Sequence, residues 1–375
     1  MTDPPSETPK TPRPVGWYVH YHGRGHRNRT IAVLREFARY GRPATILTSR
    51  MEGLTWPSVV TRSVELPCDI DGVPDAGLRR STDVPALHFA PLHTETVRDR
   101  VADLTRWFAD SNPAAVVVDV SSEVAMLARL ASVPTVVMRQ HGDRRDPGHE
   151  NAYHGASRLL APFPEMMEDD LTPDWVREKT TYADGFCRYA DPSPTRDQAR
   201  SQLGWSQPHV VAMTGRGGDG ADREKIAAAA AATPDWQWIV IGMVAGDEVR
   251  GQMPPNVRIP GWIDDPLPYL AGADAVVSAA GHNSVMELAH ARARTVLIPE
   301  PRPFDEQVRK AAICERERLA IVHPHWPEAD RWPELLRAAS ELPAERWAAV
   351  TGEGRGAAVL AAAIEAVAVE SESVV

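Results

Sequence analysis

Short apolar runs alternate with longer segments of helical periodicity along most of the chain. The run at 114–120 is continuously apolar, which is typical of a strand buried on both faces of a parallel sheet. Strands that alternate with helices in this way predict βαβ units. The predicted strands of the first half are 15–20, 44–47, 64–66, 114–120 and 135–138, and its predicted helices are 30–40, 94–110 and 123–131.

The alternation restarts after residues 191–195, whose sequence Asp-Pro-Ser-Pro-Thr is typical of a linker. The sequence therefore predicts an α/β protein in which two Rossmann-like, doubly wound parallel-sheet domains, 15–190 and 195–330, face a central cleft. We expect residues 1–14 to form a disordered tail. Residues 331–375 are expected to form helices that can pack back on the N-terminal domain. The elements predicted for the second half are strands 210–213, 238–241, 257–259, 275–278 and 295–298, and helices 196–203, 221–232 and 284–291.

Composition excludes several classes of protein. The net charge of −10 gives no basic surplus, so a nucleic-acid partner is not expected. The three cysteines lie far apart without a CxxC motif, which argues against a disulfide framework or a structural zinc site. The N-terminus lacks the apolar core of a signal peptide, and no apolar run reaches the length of a transmembrane helix. We expect a cytoplasmic protein, with the inner face of the membrane as an alternative peripheral location.

The turn after the first predicted strand carries candidate chemistry, because ligands of such sheets bind beyond the carboxyl ends of the strands. Gly23 and Gly25 allow a tight turn, and His26 lies near a helix N-terminus. A histidine there can act as a general base near neutral pH. Two interpretations compete with this one: a solvated loop histidine, and a zinc cluster of His20, His22 and His26.

Asp119 ends the predicted strand at 114–120. In a sheet of strand order 3-2-1-4 this strand lies beside the first, so Asp119 can approach His26 and hold its imidazole in one tautomer. The alternative is an acid that interacts with the positive end of a helix macrodipole. Asp69 and Asp71 have the spacing of an acidic metal-binding motif, but they lie in a predicted loop, so no metal site is predicted.

Two turns of the second half predict phosphate binding. Gly215, Arg216, Gly217 and Gly218 lie between a strand and a helix, where backbone N–H groups can face an anion. A plain glycine turn is the alternative there. The segment 272–307 is more informative.

Asn283 or Ser284 is expected to cap the helix after the strand 275–278, and the same N-terminus can hold phosphate oxygens. Glu287, one turn further on, can reach ribose hydroxyls. The run Asp305-Glu306-Gln307 follows the next strand and so opens on the same crevice, where carboxylate and amide groups suit a polyhydroxylated sugar. An ordinary capped helix and a charged loop are the alternative.

The second half also resembles a known family. Gly281-His282-Asn283-Ser284-x-x-Glu287, followed by Asp305-Glu306-Gln307, resembles the donor-binding box of nucleotide-sugar glycosyltransferases with two Rossmann-like domains. This GT-B superfamily includes the plant UDP-glycosyltransferases and the MurG-like enzymes. The resemblance spans most of residues 15–325, and the C-terminal box is its specific part. Three further segments are similar to that family, namely Gly261-Trp262-Ile263-Asp264-Asp265, the loop ending Gly25-His26, and the glycine-rich turn 215–220.

Carried over by position, the resemblance implies a role for each matched residue. His26 matches the catalytic base, and Asp119 lies where the plant enzymes have the aspartate that pairs with it. Ala279 stands where the family has a histidine, so neutralisation of phosphate charge is assigned to His282, Arg216 or Arg302. The resemblance implies contacts of Trp262 and Ile263 with uracil and of Asn283 and Ser284 with the phosphates. It implies a contact of Glu287 with the ribose and contacts of Glu306 and Gln307 with the sugar. Gly281, His282 and Asp305 belong to the same donor-binding segments.

The resemblance further implies an inverting, metal-independent glycosyltransferase that moves a hexosyl group from a UDP-sugar or dTDP-sugar to an acceptor hydroxyl. The nucleotide-sugar is a co-substrate, and no cofactor is expected. The acceptor, a small molecule or a lipid-linked compound, would bind the first half, where the segment 71–95 shapes its pocket. A UDP-sugar epimerase of the same architecture and a non-catalytic nucleotide-sugar binder are the alternatives.

Overall fold

The structure is a computed structural model, and it describes residues 11–21, 25–73, 84–214, 222–242 and 253–373. The predicted phosphate turn of Gly215, Arg216, Gly217 and Gly218 lies outside the described residues, as does the turn residue His22.

The first half contains a seven-stranded sheet of order β3-β2-β1-β4-β5-β6-β7, in which neighbouring strands pair in parallel. The sequence of β4 is Ala-Val-Val-Val-Asp, and all five residues are buried because helices cover both faces of the sheet. The strands are β1 Val15–Val19, β2 Ala44–Thr48, β3 Val60–Glu65, β4 Ala115–Asp119, β5 Thr135–Met138, β6 Arg158–Ala161 and β7 Thr180–Tyr182.

The second half contains a six-stranded parallel sheet of order β10-β9-β8-β11-β12-β13. The strand order of each sheet reverses next to its first strand, which is the Rossmann pattern. Two such sheets confirm the predicted fold class. The strands are β8 His209–Thr214, β9 Gln237–Gly242, β10 Val257–Gly261, β11 Ala275–Ser278, β12 Thr295–Leu297 and β13 Ala320–Val322.

Helices connect the strands and cover the sheets. Those of the first half are α1 Gly25–Phe37, α2 Glu95–Ser111, α3 Ser122–Leu130, α4 Pro147–Gly155 and α5 Asp174–Lys179. The later ones are α6 Arg196–Leu203, α7 Arg223–Ala232, α8 Leu267–Gly272, α9 His282–Ala291, α10 Glu306–Arg316, α11 Trp332–Ser340, α12 Ala348–Thr351 and α13 Gly356–Ser373.

Two elements differ from the sequence prediction in a way that affects the site. Helix α1 begins at Gly25 rather than at residue 30, because its first turn is polar and adds nothing to the apolar periodicity. His26 is therefore already a helical residue. Strand β3 extends over Val60–Glu65 instead of 64–66, since an edge strand with exposed side chains has no continuous apolar signal.

The two halves contact each other on one side of the cleft. Phe163 and Met167 of the first half are buried in the core of the second half. Arg309 of α10 donates to both carboxylate oxygens of Asp169, at 2.8 Å from Nε and 2.5 Å from Nη2. These contacts fix how the ends of the two sheets face each other.

The C-terminal helix α13 returns to the first half. Leu360 and Ile364 pack against α1 in the core beneath the first sheet. Arg42 forms a two-pronged ion pair with Glu365, with both nitrogen–oxygen distances between 2.8 and 2.9 Å. No helix in the part of the chain that the structure describes is long and apolar enough to cross a membrane.

Candidate active site

His26 and Asp119 come together at the carboxyl ends of two adjacent strands. Strand β1 pairs with β4 in register, so the turn after β1 lies beside the last residue of β4. His26 Nδ1 lies 3.2 Å from Asp119 Oδ1. The sheet order thus brings the two residues into the contact that the sequence suggested, and the imidazole remains partly exposed on its other side.

Arg29 is a third member of this cluster that sequence reasoning missed. Its Nη2 lies 2.5 Å from Asp119 Oδ1 and 3.2 Å from His26 Nδ1. The side chains of Arg29 and Asp119 are both 3% exposed, so this is a buried ion pair. The available signal was the spacing, because residues three apart share a helix face.

Burial opposes ionisation of the Asp119 carboxyl, but the positive charge of Arg29, followed by the contacts from His26, outweighs it. The pKa of Asp119 therefore lies far below its ordinary value. Asp119 is a carboxylate at any working pH and can accept the hydrogen of His26 Nδ1. That arrangement would leave His26 Nε2 as the proton-accepting atom.

The turn of His26 lies directly against the turn of Asn283 in the other half. A Cβ placed on Gly25 would lie 2.5 Å from Asn283 Nδ2. A side chain at Gly25 would push the amide group of Asn283 aside, so glycine favours this close approach. The predicted base and the predicted phosphate-binding turn thus face the same gap.

Helix α9 begins at this gap without a side-chain cap. Its N-cap residue is Gly281, and no side chain accepts a hydrogen bond there. The expectation that Asn283 or Ser284 caps the helix is therefore wrong, because both residues lie inside the first turn. No side chain in the described part of the chain caps the first N–H groups of the helix, so they can bind an anion, and the helix dipole favours negative charge at that end.

His282 is the first residue of α9. Desolvation between the two halves, followed by the charges of Lys310 and Arg29, lowers the pKa of His282 well below its ordinary value. A neutral imidazole can donate a hydrogen bond to a phosphate but cannot neutralise its charge. Arg302, the other described candidate for that role, lies 2.7 Å from Glu300.

Gln307 holds two strand ends together. Its side-chain carbonyl oxygen accepts the N–H groups of Ala280 and Glu300, both at 3.0 Å. Only its NH₂ group is left for a ligand, and that group lies 3.9 Å from the position of a Cβ on Gly281. The predicted sugar contact of Gln307 can therefore be a donated hydrogen bond but not an accepted one.

Glu306 begins helix α10 and lies 3.5 Å from the ammonium of Lys310, which is fully buried. Burial opposes ionisation of Glu306, but Lys310 and then Arg144 outweigh it, so the pKa of Glu306 is lowered. Phe304 and Asp305, just before it, both have left-handed backbone, with φ of 61° and 54°. Such conformations are costly outside glycine and occur where the surroundings impose them.

The residues that contact Phe304 belong to the first half. The Phe304 carbonyl accepts a hydrogen bond from the Asp143 N–H at 2.8 Å. The guanidinium of Arg144 lies over the Phe304 ring at 4.5 Å, and the ring of His149 meets it edge-on at 4.8 Å. The loop that carries Asp305 and Glu306 is thus held by residues of the first half.

Glu287, the predicted ribose contact, already has a protein partner. Its carboxylate lies 3.0 Å from Arg188 Nε, and burial raises its pKa although Arg188 opposes the shift. Trp262 is 43% exposed, and its indole N–H is donated to Asp264 at 3.0 Å. Ile263 packs against the core of the second half.

A cavity of about 390 Å³ opens beside the turn that leads to His26, and both halves line it, because Phe304 belongs to the second half. His20, which lines it, has its ring centroid 5.5 Å from that of His26. Aromatic and aliphatic residues make up about half of the lining, and polar or charged residues, including Asp69, Ser121, Ser122 and Gln140, make up the rest. Its residues include Tyr18, Tyr21, Ile70, His88, Phe89, Glu123, Val137, Met138, Arg144, His149, Tyr153 and Phe304.

Asp146 joins two histidines in the wall of this cavity. Its carboxylate oxygens lie 2.6 Å from His88 Nε2 and 2.5 Å from His149 Nδ1. The three side chains could hold a metal ion, since their ligand atoms lie within 4.8 Å of one another. The two short contacts favour hydrogen bonds, and so does the guanidinium of Arg144, 3.1 Å from His149 Nε2.

The predicted loop acids have other partners. Asp71 lies 2.8 Å from Arg50, and Asp69 accepts the hydroxyl of Tyr21 at 3.1 Å. The two carboxylates therefore contact different protein groups.

Comparison with known proteins identifies the class of this fold. Residues 244–326 match the model of the glycosyltransferase family 28 C-terminal domain. The glycotransferase of kitacinnamycin superposes with a TM-score of 0.68 at 17% identity, over 95% of this chain and 99% of that one. The glycosyltransferase VinC in complex with dTDP gives 0.63 at 18% identity, over 96% and 100%.

Curated relatives match over shorter stretches. A UDP-N-acetylglucosamine--N-acetylmuramyl-(pentapeptide) pyrophosphoryl-undecaprenol N-acetylglucosamine transferase of Symbiobacterium thermophilum is 28% identical over 214 residues, which are 54% of this chain and 55% of that protein. An uncharacterized glycosyltransferase of Methanosarcina acetivorans is 31% identical over 116 residues, 30% of each chain. The chain therefore spans about a third to a half of the length of these relatives.

The chain has the GT-B fold of two-domain glycosyltransferases, as the sequence resemblance implied. The segment that matches the family 28 C-terminal domain model includes Trp262, Asn283, Glu287 and Glu306. The comparisons support an enzyme of the glycosyltransferase type.

Proposed function

We propose that this chain transfers a hexosyl group from a UDP-sugar or dTDP-sugar to a hydroxyl group of a small acceptor, with inversion at the anomeric carbon. The observation that carries the proposal is the close approach of two turns, one holding His26 beside Asp119 and the other forming the uncapped N-terminus of α9. One turn offers a base and the other offers an anion site.

His26 would act on the acceptor. A sugar or alcohol hydroxyl has a pKa far above 7, so its oxygen attacks efficiently only if a base removes the proton as the new bond forms. Asp119 faces Nδ1, so the proton would go to Nε2. The acceptor oxygen bonds to the anomeric carbon while the bond from that carbon to the phosphate oxygen breaks. The nucleoside diphosphate leaves with that electron pair, and attack from the opposite face inverts the centre.

The first turn of α9 would stabilise the departing diphosphate. Its N–H groups and dipole are fixed before the reaction, so they need no reorganisation as charge develops. We propose that this stabilisation replaces a metal ion and that no cofactor takes part. The resemblance assigns the nucleotide base to Trp262, which is 43% exposed, and the ribose to Glu287, one turn along α9.

The cavity beside His26 would hold the acceptor. Its volume of about 390 Å³ lies in the range of small-molecule sites. Aromatic and aliphatic walls favour a compact, partly apolar acceptor whose hydroxyl points toward His26. A lipid-linked acceptor would have to leave its chain outside this cavity.

The reaction type can be tested by incubating the enzyme with UDP-sugars and dTDP-sugars, with and without a library of hydroxyl compounds, and analysing products by mass spectrometry. A transferase forms a glycoside and releases the nucleoside diphosphate when the acceptor is present. Interconversion of the sugar without an acceptor would instead identify an epimerase. Binding without any product, unchanged by His26→Ala, would identify a binding protein.

The donor site can be tested separately by calorimetry. Glu287→Ala should weaken nucleoside diphosphate binding about 10- to 100-fold, because hydrogen bonds to a charged group contribute about 1.5–3 kcal/mol. Glu345→Ala, a surface change on the same half, is the matched control. Equal affinity in both variants would remove Glu287 from the donor site.

A further inference from the structure

Arg29 and His26 contact the same oxygen of Asp119. The guanidinium is the closer partner, at 2.5 Å from Oδ1, while His26 Nδ1 lies at 3.2 Å from it. Asp119 Oδ2 is buried and has no hydrogen-bond partner among the described residues. A single carboxylate oxygen thus serves both the positive guanidinium and the proposed base.

This geometry differs from a histidine–aspartate pair in which the carboxylate faces the imidazole alone. An isolated carboxylate orients the imidazole and also stabilises its protonated form. Here Arg29 Nη2 lies 3.2 Å from His26 Nδ1, so the positive charge of the guanidinium offsets the negative charge of the carboxylate at the imidazole. At such distances a unit charge is worth several kcal/mol even at an effective dielectric constant near 20.

We propose that Arg29 is a positioning residue that offsets the charge of Asp119 at His26, so that loss of Arg29 would leave the imidazole facing an uncompensated carboxylate. The proposal rests on the proposed function, in which His26 accepts the proton of the acceptor. A histidine that is already protonated cannot accept the proton of the acceptor. The positive charge of Arg29 disfavours that protonated form.

Other charged and titratable groups also face His26. His20 lies beside it on the turn after β1, with ring centroids 5.5 Å apart. From the second half, His282 and Glu306 lie within electrostatic range, and Glu306 is paired with Lys310. Arg29 and Asp119 are the groups in direct contact, so their replacement should dominate the response of His26.

The experiment is a pH titration of His26 by NMR in the full chain, labelled with ¹⁵N-histidine, with the His26 signals assigned from their loss in His26→Gln. Arg29→Gln should raise the midpoint of the His26 titration by about one pH unit or more, because the carboxylate is left uncompensated. Asp119→Asn should lower it by a similar amount. Arg29→Lys, which keeps the charge, should leave it close to that of the unchanged protein.

The double variant Arg29→Gln with Asp119→Asn removes both buried charges, so its folding does not require an unpaired charge. Since the pair is neutral overall, the midpoint in this variant should return to within about half a pH unit of the original value. An unchanged or lowered midpoint in Arg29→Gln would overturn the proposal. If Arg29→Gln does not fold, the double variant decides the question. The proposal would be overturned if His26 had the same titration midpoint in the double variant as in Asp119→Asn alone.

The titration needs neither donor nor acceptor, so it separates this inference from the proposed function. If the midpoints move as expected but His26→Ala retains turnover, the charge cancellation stands and the base assignment fails. If His26→Ala loses turnover but Arg29→Gln does not move the midpoint, the inference alone fails. Once an acceptor is known, the rising limb of kcat against pH should shift in the same directions, with the KM for the donor unchanged.

Discussion

Two clusters in the first half contain the same residue types but connect them differently. In the cluster at the cleft, Arg29 and His26 contact one oxygen of Asp119. In the cavity wall, Asp146 gives one oxygen to His88 and the other to His149. In the first cluster the arginine contacts the carboxylate.

In the second cluster the arginine is on the far side of an imidazole. Arg144 Nη1 lies 3.1 Å from His149 Nε2, while Asp146 faces Nδ1 of the same ring. Burial, followed by the charge of Arg144, lowers the pKa of His149 to about 3. His149 therefore stays neutral and serves as part of a fixed wall, whereas the side chain of His26 is 18% exposed. The position of the arginine, more than the residue types, distinguishes the two clusters.

The largest difference should appear on removal of the proposed base. We expect His26→Ala to lower kcat by 10²- to 10⁴-fold, the usual contribution of a positioned general base, with donor affinity nearly intact. Steady-state kinetics and calorimetry check the two parts. His154→Ala, an exposed histidine at the end of α4, is the control and should leave kcat unchanged. Similar rates for the two variants would contradict the assignment.

Removal of the carboxylate in the cavity wall should act on stability and acceptor binding instead. Asp146 also caps helix α4 by accepting the His149 N–H at 3.2 Å. We expect Asp146→Ala to lower the free energy of unfolding by about 1–3 kcal/mol and to raise the KM for the acceptor. Urea unfolding measures the first effect.

Asp143→Ala provides the matched control for that change. Asp143 is a residue of intermediate burial whose side chain, 40% exposed, pairs with Arg145, and loss of such a pair costs less than about 1 kcal/mol. If Asp146→Ala were no less stable than Asp143→Ala, the cluster in the cavity wall would have no structural role.

The last prediction concerns the loss of stability in acid. The pKa of His149 is depressed in the folded state. Between pH 6.5 and about 3, His149 therefore binds a proton in the unfolded chain but not in the folded chain. Stability should therefore fall as pH decreases through this window, by up to about 1.4 kcal/mol per pH unit for this group. His149→Phe should show a shallower decline between pH 6.5 and 4.5 in urea unfolding. The same slope in both proteins would show that His149 titrates freely.

The local sequence predicted a substantial part of this arrangement. Apolar runs such as Ala115–Asp119 have the composition of strands buried on both faces, so the two parallel sheets follow from short-range pattern. Once β1 and β4 are neighbours, the ends of those strands must adjoin, and the contact of His26 with Asp119 follows from the order of the strands.

The pattern gave less information where the first turn of a helix is polar or where a side chain has several possible partners. The first turn of α1 carries no apolar periodicity, so Arg29 did not stand out as a helical neighbour of His26. Gln307 matched a sugar-binding position, yet its carbonyl oxygen binds two backbone N–H groups. Glu287 likewise has Arg188 as a partner from a distant part of the chain.

The sequence by itself determined the alternation of strands and helices, and with it which turns reach the carboxyl edges of the sheets, because these depend on residues close together in the chain. Only the tertiary structure decided that Gly25 abuts Asn283, that Phe304 lies beside Arg144, and that Arg29 shares an oxygen of Asp119 with His26. Those contacts depend on how two separately folded sheets pack and on competition among several polar groups for one buried acceptor, and neither has a short-range signature.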